Sequence, residues 1–176
     1  MAKWNNGTEY EPRPNDYWDT PWKPVVPLLP HLPAACTFIE PCAGAGRLVD
    51  HLESQGHRCA LKCDIEPQRG DVIRRSAYTI RVRRGVDLFI TNPPWTREVM
   101  HPLMRHMYEQ LPTWLLFDAD WAFTDQSAPH MPWCRKIIAV GRVSWFENGG
   151  TDKTNVAWHL FDGTRPPSFT EFIPRQ

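Results

Sequence analysis

The sequence predicts an α/β three-layer sandwich, with a mostly parallel sheet of seven strands between helices and an antiparallel hairpin at its end. Three observations predict it. Short apolar runs of strand length alternate with segments whose apolar residues recur at helical spacing. The distinctive polar motifs fall where those strand-like runs end. The last third holds two β-patterned runs separated by Gly149-Gly150, as in a hairpin. A chain of 176 residues suits one domain around one core.

Each element follows in order. Residues 1–16 are polar, with Pro12 and Pro14, and are expected to form a flexible N-terminal arm to a single domain over 17–176. Residues 17–33 carry Pro at 21, 24, 27, 30 and 33, which permits at most a short helix around Val25–Leu29. Thr37–Glu40 reads as a strand, Arg47–Gln55 as a helix stopped by Gly56, and Arg58–Cys63 as a second strand. Between 68 and 84 the pattern is ambiguous, although Tyr78–Val82 alternates like a strand. Val86–Thr91 reads as a buried strand, Val99–Gln110 as a helix and Trp114–Phe117 as a strand. Ile137–Phe146 and Asn155–Phe161 form the closing pair.

Charge and cysteine content narrow the function. Twenty basic residues balance twenty acidic ones, so a general pull on polyanions does not lead the argument. Fifteen of the basic residues are Arg, whose planar fork suits phosphates and bases better than Lys does. Arg69, Arg74, Arg75, Arg81, Arg83 and Arg84 form the basic cluster, either a phosphate contact or a solvated face. The five Cys include no CxxC pair, and the start lacks a secretory pattern, which together imply reduced thiols and a cytoplasmic location. Pro interrupts the apolar stretch 24–33, so no membrane span is expected. The His spacing suggests no metal site.

Open α/β sheets bind ligands beyond the carboxyl ends of their strands. Glu40-Pro41-Cys42-Ala43-Gly44-Ala45-Gly46 links the first strand to a helix, and its glycines allow a ligand to approach bare backbone. Asp64-Ile65-Glu66-Pro67 ends the second strand about 20 residues on; Asp64 can accept two ribose hydroxyls and Ile65 can pack on an adenine. Thr91-Asn92-Pro93-Pro94-Trp95 ends the buried strand. Its prolines fix a stiff turn, the Asn92 side-chain oxygen and the Pro93 carbonyl are acceptors for an amino group, and Trp95 offers a stacking face. Asp118-Ala119-Asp120-Trp121 ends the next strand, either lining a substrate site with Trp121 or placing Asp120 as a helix cap. Arg97 and His101 follow the proline turn, where a flipped nucleotide's phosphate would lie.

Glu40–Gly46 resembles motif I of amino-methyltransferases, and Asn92-Pro93-Pro94-Trp95 resembles motif IV of adenine-N6 methyltransferases. Tyr17-Trp18-Asp19-Thr20-Pro21 is similar to the aromatic-x-x-Thr-Pro segment that precedes motif I there, and the motif order matches the gamma-type arrangement. The resemblance spans residues 17–95 by motif. It implies a Rossmann-like fold, S-adenosylmethionine (SAM) as cofactor and nucleic acid, DNA first, as partner. It implies cofactor contacts at Tyr17, Thr20, Pro21, Glu40, Pro41, Cys42, Ala43, Gly44, Gly46, Asp64, Ile65, Ser76 and Asn92. Asn92, Pro93, Pro94 and Trp95 would be catalytic, and Trp95, Arg97, Asp118 and Trp121 would meet the substrate. Glutamine and guanine N-methyltransferases share a similar turn, so RNA or a protein glutamine stands as an alternative. Ser76, or Asp71 in a shifted alignment, stands where the family has an acid on the SAM adenine, which leaves an inactive SAM-binding module as a third reading. There is no room for a separate target-recognition domain, so specificity is expected from loops or a protein partner. The chain looks like the compact methyltransferases of phages and mobile elements.

Overall fold

A computed structural model describes residues 18–82, 84–145 and 153–175. The expected arm, Tyr17, Arg83 and the Gly149-Gly150 loop lie outside the described residues. Eight strands form one sheet: β1 (Thr37–Glu40), β2 (Arg58–Asp64), β3 (Ile73–Arg74), β4 (Leu88–Thr91), β5 (Thr113–Asp118), β6 (Cys134–Arg142), β7 (Asn155–Phe161) and β8 (Glu171–Ile173). Their order is β3-β2-β1-β4-β5-β7-β6-β8. Only β7 runs antiparallel to its neighbours. The expected parallel sheet with an antiparallel pair is present, but the pair does not form the edge, because β8 adds to β6 in parallel.

Alternation along the strands builds two cores. Phe38, Leu88, Ile90, Trp114, Leu116 and Trp158 face one way, against Leu48, Val49 and Leu52 of α2 (Arg47–Ser54). The same core holds Val25 of the four-residue helix α1 (Trp22–Val25), which ends where the short helix expected around Val25–Leu29 would begin. Trp158 donates its indole N–H to the Pro24 carbonyl at 2.7 Å, so that buried dipole is satisfied and α1 is pinned to the sheet. Ile39, Phe89, Leu115 and Phe117 face the other way, against Met100, Leu103, Met104 and Met107 of α3 (Arg97–Tyr108).

Two expectations need correction. Tyr78–Val82 is not a strand; Ala77–Thr79 is a 3-10 turn, and the strand at that place is Ile73–Arg74. Ala77 and Ile80 are the buried residues, three apart, and N–H groups of Thr79 and Ile80 bond to carbonyls three residues back, so the alternation is that of a tight turn. Among the described residues the strands number eight rather than seven; β8 is three residues long and mostly exposed, too short to register as a pattern.

Candidate active site

Strand order reverses at β1, which has β2 on one side and β4 on the other, so the carboxyl ends of these strands open onto one crevice. The glycine loop leaves β1 there. Gly44 and Gly46 have φ of 51° and 77°, where a side chain is strained. The Gly44 N–H donates to Asp64 Oδ2 at 2.8 Å, and the Glu66 N–H donates to Asp64 Oδ1 at 2.8 Å. Each carboxylate oxygen keeps a second lone pair, so Asp64 can still accept two hydroxyls. Ile65 beside it is 62% exposed, a bare apolar face at the crevice.

A Cβ on Gly46 would meet the Arg69 guanidinium at 2.6 Å. That guanidinium pairs with Asp50 of α2 and with Asp71, which also pairs with Lys62. Asp71 is therefore committed to a surface ion network, and Ser76 lies two residues beyond the end of β3, just before the turn Ala77–Thr79. Gly46→Ala is expected to cost about 1–3 kcal/mol of stability, because the left-handed φ alone costs that much and Arg69 must also shift. Thermal unfolding checks it, and an unchanged midpoint would contradict it.

Glu40 is buried at the end of β1. Its Oε1 accepts the Cys42 N–H at 3.1 Å. Its Oε2 and the nearby Thr91 hydroxyl have no partner with hydrogen-bond geometry among the described residues. Burial pushes the Glu40 carboxyl up to about 8, against the pull of Thr91 and the Cys42 amide. A buried acid lacking a donor suits an ammonium group. The same shift has a sign in stability. The folded pKa lies above the unfolded one, so the contribution is full below about pH 4.5 and is lost as pH rises through about 8. His130 and His159, pushed by burial to about 4 and about 3, act oppositely and lose stability as pH falls below about 6.5. Above about pH 6.5 the histidine contributions are complete, so the wild type is expected to lose stability up to about pH 8, and Glu40→Gln is expected to flatten that decline. Parallel slopes in urea titrations of the two proteins would contradict this.

The proline turn follows β4. Pro93 is buried and Pro94 half-buried. Asn92 is half-buried; its Nδ2 donates to the Trp18 carbonyl at 3.3 Å, and its Oδ1 accepts the Trp95 indole N–H at 3.2 Å. Thr20 and Pro21, just after Trp18, are buried beside this corner of the chain. Trp95 meets Trp145 edge-on at 5.8 Å, and Trp145 lies 6.4 Å from Trp18.

Next to the turn lies a cleft of about 180 Å³ lined by Trp95, Arg97, Met100, Phe117, Asp118, Trp121 and Thr154. It is below the roughly 300–1,000 Å³ of clefts that hold larger ligands, and its aromatic walls suit one flat ring system. Four of these, Trp95, Arg97, Asp118 and Trp121, come from the segments at the ends of two strands, β4 and β5. Trp121 is buried and donates its N–H to His101 Nε2 at 2.9 Å. That ring nitrogen is thereby an acceptor, and burial with Arg97 nearby lowers the His101 pKa, so His101 supports the wall as a neutral ring rather than meeting a phosphate as a cation. Asp118, not Asp120, caps the 3-10 helix Ala119–Phe123, accepting the Asp120 N–H at 2.9 Å. Burial raises its pKa. Arg97 donates to Gln126 at 2.7 Å across the rim. Of the basic cluster, Arg69 is spent on carboxylates, and Arg74, Arg75 and Arg81 donate to nearby carbonyls while remaining exposed. Trp145, Phe117, Met100 and Thr154 belong to no sequence motif, and Trp18 belongs to one only as an unspecified position; for Trp145, an aromatic near the end of a strand is the available signal.

No family model and no curated protein matches the chain in sequence. Solved structures match in fold. A candidate RNA methyltransferase from Pyrococcus horikoshii aligns at 14% identity over 84% of this chain and 87% of its own, with a TM-score of 0.61. A candidate class I SAM-dependent methyltransferase from Listeria monocytogenes aligns at 12% identity over 92% of this chain and 67% of its own, with a TM-score of 0.61. The methyltransferase subunit of a type I restriction-modification system from Streptococcus thermophilus aligns at 9% identity, with a TM-score of 0.61. It is covered over 47% of its length by 89% of this chain. The fold is the Rossmann-like fold of class I methyltransferases.

Proposed function

We propose that this chain is a SAM-dependent N-methyltransferase that methylates an exocyclic amino nitrogen, N6 of adenine in DNA. The observation that carries the reading is the side-by-side placement of an oriented Asn92 amide and a ring-sized aromatic cleft at the switch point of the sheet. The residues fit the cofactor. Glu40, with a buried oxygen lacking a donor, would face the cofactor's amino group. Gly44 and Gly46 leave backbone open to the methionine part, with Pro41, Cys42 and Ala43 completing the loop. Asp64 would accept the ribose hydroxyls, Ile65 and Ser76 would flank the adenine, and Thr20-Pro21 would close over the methionine end, with Tyr17 before them. SAM supplies a methyl group on a sulfonium.

The chain's own task is to make a weak nucleophile reactive. An exocyclic amine is planar because its lone pair is delocalised into the ring. Hydrogen bonds from its two N–H groups to Asn92 Oδ1 and the Pro93 carbonyl pull electron density back to nitrogen and aim the lone pair. With the cofactor bound, the nitrogen would take the methyl group as the sulfonium S–C bond is released, and the excess amine proton would leave to solvent. Pro94 stiffens the turn. Trp95 and Trp121 hold the ring, and Arg97 meets the phosphate beside it. Specificity beyond the base would come from loops or a protein partner; the chain matches about half the length of the S. thermophilus subunit.

RNA is the second reading, favoured by the fold match to the P. horikoshii protein. Incubation with tritiated SAM and separate DNA, RNA and protein pools tests the proposal. Label in DNA is expected. Label confined to RNA would favour the second reading, and label confined to protein would exclude both.

A further inference from the structure

We infer that Trp18 and Trp95 are positioning residues for Asn92, gripping the two ends of its amide so that one lone pair of Oδ1 is left for the incoming amine. The inference deepens the proposed function and rests on it for its catalytic meaning. The contacts come from opposite directions in the sequence. The Trp18 carbonyl, 74 residues upstream, accepts from Nδ2 at 3.3 Å, and the Trp95 indole, three residues downstream, donates to Oδ1 at 3.2 Å. A carbonyl only accepts and an indole N–H only donates, so the amide has a single orientation that satisfies both. An amide oxygen carries two acceptor sites. Trp95 takes one, and the other remains.

The surroundings hold the grip. Trp145 packs near both Trp18 and Trp95, and Thr20 and Pro21 anchor the strap that carries the Trp18 carbonyl. That strap is the segment proposed to close over SAM, so cofactor cover and catalytic amide share one piece of backbone. Trp95 then has a polar duty that a plain stacking ring lacks.

An ionised carboxylate at this position would lack the donor that the Trp18 carbonyl accepts from. Asn92→Asp would set an anionic oxygen against the Trp18 carbonyl, whereas the protonated acid could donate to it. We expect Asn92→Asp to have kcat at least about tenfold below wild type at pH 8, with the variant-to-wild-type ratio rising as pH falls. Asp19 on the strap, Glu40 on β1, Asp64 on β2, Asp118 on β5 and Arg97 on α3 are charged groups of the elements that meet at this end of the sheet; both proteins carry them, so the ratio reports the substituted side chain. Trp95→Phe keeps a flat ring without the donor, and its kcat should fall about three- to tenfold with KM changed by less than about threefold.

A readout without substrate separates this inference from the methyltransferase reading. In ¹⁵N-labelled protein, the Trp95 indole N–H resonance, assigned by its loss in Trp95→Phe, should shift and exchange faster with water in Asn92→Ala. An unmoved resonance, or an Asn92→Asp ratio that is flat with pH, would overturn the grip. A shifted resonance in a protein inactive on every acceptor would instead sustain the grip and remove the methyltransferase reading.

Discussion

Asn92→Ala is expected to lower methyl transfer about 10²–10³-fold, the loss typical of removing one preorganised group from the reacting atoms, while SAM affinity changes by less than about threefold. The split follows from where the residue stands. Its amide oxygen lies at the end of β4, held by Trp95, while the loop and acid proposed for the cofactor leave β1 and β2. Ala removes the acceptor, and the amine stays planar. It also leaves the Trp18 carbonyl and the Trp95 N–H without their partner, but both sit in a partly open corner, so the fold should survive. Single-turnover kinetics with saturating SAM, alongside calorimetric titration of SAM, reads both quantities. Turnover near wild type would remove Asn92 from the chemistry.

Asp64→Ala is expected to weaken SAM binding by about 10²–10³-fold, from two hydrogen bonds to a charged acceptor at roughly 1.5–3 kcal/mol each, partly offset by water. The carboxylate also accepts the Gly44 and Glu66 N–H groups, so its removal loosens the glycine loop as well as the ribose site. Asp64→Asn separates the two. It can keep one acceptor for the loop while losing the charge, and should fall between wild type and Ala. If SAM binds Asp64→Ala as tightly as wild type in the calorimeter, the ribose assignment fails.

The parts of this account that are local in sequence were legible from it. Gly44 and Gly46 mark a turn because few other residues take positive φ, and Pro93-Pro94 mark a rigid corner because proline fixes φ. Both sit at strand ends, and strand ends are visible as the last apolar residue of a run. Trp95, Arg97, Asp118 and Trp121 meet in one cleft because they follow the ends of two neighbouring strands, β4 and β5.

What depends on distance through space was not legible. Nothing in the sequence couples Trp18 to Asn92, because a bond to a main-chain carbonyl leaves no trace in residue type. Asp71 could stand for the missing acid in a shifted alignment until its ion pairs with Lys62 and Arg69 placed it at the surface. The 3-10 turn at Ala77–Thr79 imitates a strand because Tyr78, Ile80 and Val82 alternate along the chain, although the turn buries Ala77 and Ile80 and leaves Tyr78 exposed.

Nucleosides digested from duplex DNA after incubation with CD₃-labelled SAM test the central claim most directly by mass spectrometry. A deuterated methyl group is expected on N6 of adenine, present with the wild-type protein and reduced about 10²–10³-fold with Asn92→Ala. A deuterated methyl on a ring carbon or a ring nitrogen, formed equally well by Asn92→Ala, would contradict it.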